Sequence, residues 1–69
     1  MPLSMANAGD IKYIKKIGGK AETKQFLEGL GFTVGEMVRV LSVMSGNLIV
    51  QVKESRIAIS REMAMKIIV

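Results

Sequence analysis

The stretch FLEGLGFTVGE, Phe26 to Glu36, carries glycines at 29, 31 and 35. Closely spaced glycines can build a phosphate cradle, because backbone N–H groups at a helix N-terminus hold anions. That chemistry needs a strand before the glycines and a helix after them. Here the order is reversed, so a phosphate would meet a helix C-terminus, which carries partial negative charge. No acidic residue about 20 positions on closes a βαβ unit, and no Gly-Lys-Ser/Thr completes a P-loop. The glycines therefore read as backbone geometry. Gly31 is expected just past a helix with positive φ, with Phe32 packing back on Leu27. Gly35 is expected at the positive-φ position of a TVGE turn. Gly29 costs the helix about 1 kcal/mol relative to Ala, and its missing side chain would admit a neighbouring backbone.

The remaining reactive side chains are few. There is no His and no Cys, so the usual neutral-pH base, the thiolate nucleophile and the commonest zinc ligands are missing. Asp10, Glu22, Glu28, Glu36, Glu54 and Glu62 are scattered along the chain. Glu22 and Glu28 are six apart and do not share a helix face. No spacing matches a triad or an oxygen-rich calcium loop. The sequence accordingly predicts no catalytic residue, no metal ligand and no cofactor.

Ten Lys and Arg against six Asp and Glu leave a formal charge of +4. Lys12, Lys15, Lys16, Lys20 and Lys24 form a basic stretch, read either as a solvated face or as a patch for an acidic partner. Nucleic-acid-binding small barrels add aromatic stacking platforms. The only aromatics are Tyr13, Phe26 and Phe32, and both Phe are assigned to the helix and its stop. Nucleic acid is therefore the alternative partner, not the leading one. Six methionines are many for this length. Met37, Met44, Met63 and Met65 would fill core gaps or line an adaptable protein-binding surface. Met44 and Met65 are the hardest of these to bury.

The elements that must position these residues are short. Sixty-nine residues make one domain, covering 1–69. A chain of this size buries about 60% of its extended surface. Apolar residues make up 49% of it, enough for a packed globule. No apolar run approaches the roughly 20 residues of a membrane span. The opening MPLSMANAG lacks the basic and apolar regions of a signal peptide. A cytoplasmic protein with no membrane insertion is expected.

Ser4 would cap a first helical turn that ends at Gly9. DIKYIKKIGG reads as a bulged or sharply bent strand. Ile11, Tyr13 and Ile17 fit a period of two, and Ile14 breaks it. KAETKQFLEGL reads as a helix with Phe26, Leu27 and Leu30 on its apolar stripe. MVRVLSVM alternates, with Val38 and Val40 on one face and Met37, Leu41 and Val43 on the other. In LIVQVK, Leu48, Val50 and Val52 share a face. RIAIS turns Ile57 and Ile59 inward. SGN and ESR supply tight hairpin links. Ser60 caps a final helical turn, and IIV is a last strand. About five short strands with one helix after the first and a helical turn before the last suggest a mainly β, partly open small barrel, since closure removes exposed edges.

The pieces PLSMANAGD, FLEGLGFTVGEMVRV and RIAISREMAMKIIV, in that order and spacing, resemble the FeoA family of ferrous iron transport. The resemblance covers essentially the whole chain. Ser60 stands where the family commonly has Arg, and Val34 where a Pro often precedes the glycine. The resemblance implies an SH3-like barrel and a partner, the FeoB-type membrane permease with its cytoplasmic GTP-binding domain. It also extends to the C-terminal domain of iron-dependent repressors. The expected role is a non-catalytic accessory module that binds the permease's cytoplasmic part. An iron-repressor-like or nucleic-acid-binding domain is the alternative. Lys24, Glu28, Met44 and Asn47 are expected as partner contacts from their anticipated exposure, and self-association is left open.

Overall fold

The computed structural model describes residues 1–69. A 3₁₀ turn at Leu3–Met5 opens the chain. It is followed by β1 (Ile11–Tyr13), β2 (Lys16–Ile17), α1 (Ala21–Gly29), β3 (Met37–Met44), β4 (Asn47–Val52), β5 (Ser55–Ile59), α2 (Arg61–Ala64) and β6 (Ile67–Ile68). The strands form an antiparallel four-stranded sheet in the order β1-β3-β4-β5 and a separate β2-β6 pair. This is the expected mainly β barrel, with the helix after the first strand, here the β1–β2 pair of segments. There are six strands rather than five because the first is broken in two.

The break explains why DIKYIKKIGG resisted a single period. Ile14 N–H donates to Glu36 O at 3.0 Å, extending the β1–β3 side, whereas Lys15 N–H donates to Ile68 O at 2.7 Å. The chain changes sheets between these two residues. Ile14 and Ile17 are buried, while Ile11 and Tyr13 face water. The expected face of Ile11, Tyr13 and Ile17 is thus replaced by an inward pair, Ile14 and Ile17. A second departure lies in β3. Its register against β4 shifts between Val40 and Ser42, so Leu41 is an extra residue in a β-bulge and the simple alternation stops there.

One continuous core of fifteen apolar residues holds these elements together, with no buried polar group. Val38 and Val40 meet Val52 and Val50 across the β3–β4 pair, and all four are buried. Leu48, Ile59 and Phe32 extend the cluster. The two ends of the chain close it. Pro2 bridges Ile68, Val69 N–H donates to Met1 O at 2.7 Å, and Leu3, Ile67 and Val69 are buried. The opening turn starts from Pro2, without a side-chain cap, so Ser4 lies inside it. Ser60 does cap α2, its Oγ accepting from Met63 N–H at 3.2 Å.

α1 ends as its glycines anticipate. Gly31 has φ 109°. Its N–H donates to Glu28 O at 3.0 Å, and Phe32 N–H reaches back to Leu27 O at 3.0 Å. These paired bonds define a Schellman stop, and Leu27 and Phe32, both fully buried, supply its apolar contact. The stop sets the rotation of the helix. With Leu27 turned to the core, Phe26 is rotated about 100° away and is 55% exposed, so the expected apolar stripe narrows to Leu27 and half-buried Leu30. Gly35 has φ 90° in the turn closed by Glu36 N–H to Thr33 O at 3.0 Å. Gly29 admits no close backbone, since a Cβ there would meet open space.

The two helix-end glycines should therefore respond oppositely to alanine. Gly31→Ala is expected to destabilise the fold by about 1–2 kcal/mol, because the backbone must hold positive φ. Gly29→Ala is expected to stabilise it by up to about 1 kcal/mol. Urea or thermal melts of the two variants check both signs.

Candidate partner-binding surface

Burial alternates cleanly along the first half of β3. Val38 and Val40 point inward, and Met37 and Arg39 point out. β4 repeats the pattern, with Val50 and Val52 buried and Gln51 exposed. In β1 both end residues, Ile11 and Tyr13, are exposed. The register places Tyr13 opposite Met37 and Ile11 opposite Arg39. Arg39 faces Gln51, and Gln51 faces Arg56. The outer side of the four-stranded sheet is thus a mixed surface of apolar and basic side chains. A shallow groove of about 210 Å³ lies on it, lined by Glu36, Met37, Arg39, Gln51 and Lys53. Lys53 Nζ and Glu36 Oε1 are 3.9 Å apart across the groove, both partly exposed.

The residues expected as contacts are all exposed: Lys24, Glu28, Met44 and Asn47. They fall into two pairs. Lys24 and Glu28 are one turn apart on α1. Met44 and Asn47 oppose each other where β3 turns into β4, through Ser45 and Gly46 at φ 51° and 85°. The stop after α1 lies beside Val52 and Lys53, at the other end of β4 from Asn47. That is on the order of 17 Å along the strand, so Glu28 and the hairpin tip do not share one patch. Met44 and Met65 are exposed as anticipated, Met37 is also exposed, and Met63 packs partly against the core. The lysine run is divided by the break in the first strand: Lys12 lies in β1 and Lys16 in β2.

Sequence reasoning did not assemble the Ile11–Tyr13–Met37–Arg39 surface. Its signal was present in MVRVLSVM, where Met37 and Arg39 alternate with two inward valines. The partner side chains came from β1, whose pattern was obscured by the change of sheet. No three acidic side chains converge into a group able to hold a metal ion, and no ionisable side chain is buried.

The FeoA domain family matches residues 1–69. The chain belongs to the FeoA family. A protein of Methanocaldococcus jannaschii provisionally named Fe(2+) transport protein A is 37% identical over 68 residues, covering 99% of this chain and 83% of that protein. A crystal structure of an iron uptake regulatory protein, FeoA, superposes with a TM-score of 0.88 at 32% identity, covering 96% of this chain and 88% of the other. The zinc complex of Stenotrophomonas maltophilia FeoA, described as a prokaryotic SH3 domain protein, gives 0.85 at 26% identity, covering 99% and 87%. The SH3-like fold expected from the sequence is thus the fold of this family. The family is implicated in ferrous iron transport as an accessory and is not known as an enzyme. No helix of this chain is long and apolar enough to cross a membrane.

The ion pair in the groove is expected to contribute little to the fold, since an exposed pair at this separation is worth about 0–1 kcal/mol. Glu36→Gln should leave stability within about 1 kcal/mol of the parent chain. A urea titration measures it, and a larger loss would mean that the carboxylate holds the Thr33–Glu36 turn in place.

Proposed function

We propose that this chain is a non-catalytic accessory module of ferrous iron uptake. It binds the cytoplasmic part of a FeoB-type permease and works on the cytoplasmic side of the membrane. The observation that carries this reading is the family match over residues 1–69, on a fold whose whole core is apolar. A core without buried acids or bases lacks the desolvated reactive groups on which catalysis usually rests. The exposed side chains are what remains to act, and they act by contact. Lys24, Glu28, Met44 and Asn47 are available to a partner on α1 and at the β3–β4 turn.

A titration of the isotope-labelled chain with the soluble cytoplasmic domain of the permease, with and without a GTP analogue, tests the reading. Amide shifts that saturate in the micromolar range are expected. No shift at high micromolar concentration in either nucleotide state would overturn a direct contact.

A further inference from the structure

The outer side of the four-stranded sheet carries side chains that nothing in the molecule satisfies. Ile11, Arg39, Gln51 and Arg56 form one row across β1, β3, β4 and β5. At roughly 4.8 Å per strand, the row is about 14 Å long. The next row sets Tyr13 against Met37. Ile11, Tyr13 and Met37 are 47%, 60% and 40% exposed, so three large apolar side chains sit together on the face turned away from the core. The groove runs beside them. Within it Lys53 is matched by Glu36, but the Arg39 guanidinium has no ion pair and no hydrogen bond.

An unpaired guanidinium offers five donors in a planar fork that fits a carboxylate. Arg39, Lys53 and Arg56 outnumber Glu36 on this face, so its charge complements an acidic partner. Tyr, Met and Arg are the residue types enriched in protein interfaces. We propose that Ile11, Tyr13, Met37 and Arg39 form the docking surface for a partner-protein segment that combines acidic and apolar side chains. A carboxylate of the segment pairs with Arg39, and its apolar side chains cover Tyr13, Met37 and Ile11. This rests on the reading of the chain as a protein-binding accessory. A nucleic-acid strand fits the face poorly. Tyr13 is its one aromatic, where single strands use successive stacking platforms, and Glu36 would meet the phosphates. Lys16, Lys20 and Lys24, the denser basic run, belong to β2 and the start of α1 instead.

The test compares R39E and Y13S with K20E, all at exposed positions, each first checked for an intact amide spectrum. On adding the permease's cytoplasmic domain, the amides of Ile11, Tyr13, Met37, Arg39 and Gln51 are expected to shift. R39E and Y13S should each weaken binding by about tenfold or more, and K20E should leave it unchanged. Rising salt should weaken the parent complex. Equal binding by R39E and the parent chain, or a loss confined to K20E, overturns the surface and leaves the accessory role standing. Failure of the domain to bind at all overturns the accessory role. The surface is then decided by a short peptide alternating Glu with Leu and Phe. Shifts at the same amides that R39E removes uphold it. No shift, or shifts only around Lys16 to Lys24, overturn it, as does an oligothymidylate that shifts these amides where the peptide does not.

Discussion

The structure depends on a single apolar core that every part of the chain must help to build. A polypeptide of this size has no second cluster to fall back on. Fifteen residues make the core, drawn from the opening turn, the break between β1 and β2 together with β2, α1 and its stop, the three long strands, α2 and the last residues. The four valines of the β3–β4 pair form its centre. Leu3, Ile67 and Val69 seal it where the two ends of the chain meet. Burial of apolar area on the order of 25 cal/mol per Å² is the main favourable term. No disulfide or buried ion pair supplements it here.

That constraint also determines what is left for the surface. Inward positions of the long strands are used up by Val, Leu and Ile, so the alternate positions are free to carry other chemistry. α1 is attached by little more than Leu27 and the stop that follows it. The Schellman geometry at Gly31 orients the helix by pinning Leu27 against Phe32, which leaves Phe26 in water. The same division leaves Arg39 and Gln51 outside while Val38, Val40, Val50 and Val52 pack within. The chain's distinctive side chains therefore lie on its surface, in keeping with its family's place in iron transport as an accessory.

Much of the fold was legible because local signals were strong and consistent. The helix, its glycine stop, the TVGE turn, the two hairpins and the Ser60 cap each have a short-range physical cause, and each lies where its residues indicate. The inward faces of β4 and of the first half of β3 followed from a period of two. The errors share a different cause. Ile11, Tyr13, Ile14 and Ile17 could not be sorted by periodicity, because the chain leaves one sheet for another between Ile14 and Lys15. Leu41 gave no sign of a bulge, having neither glycine nor proline beside it. Phe26 was placed on the apolar stripe because a helix nine residues long tolerates more than one inward face by sequence alone. The candidate surface was legible only in half, through Met37 and Arg39.

By itself, the sequence determined the order and kind of most elements, the absence of His and Cys chemistry, and the family. The elements and the missing chemistry follow from composition, propensity and contacts within a few residues, and the family follows from the resemblance of the whole chain's pattern. Tertiary structure alone decided which residues of β1 face water and how α1 is rotated. It also decided that the two ends of the chain close the core, and that Ile11 and Tyr13 stand beside Met37 and Arg39. The physical reason is range. Pairing between strands more than twenty positions apart, and the closing of residues 1 and 69, are set by how one small core fills its volume, and no local pattern encodes that.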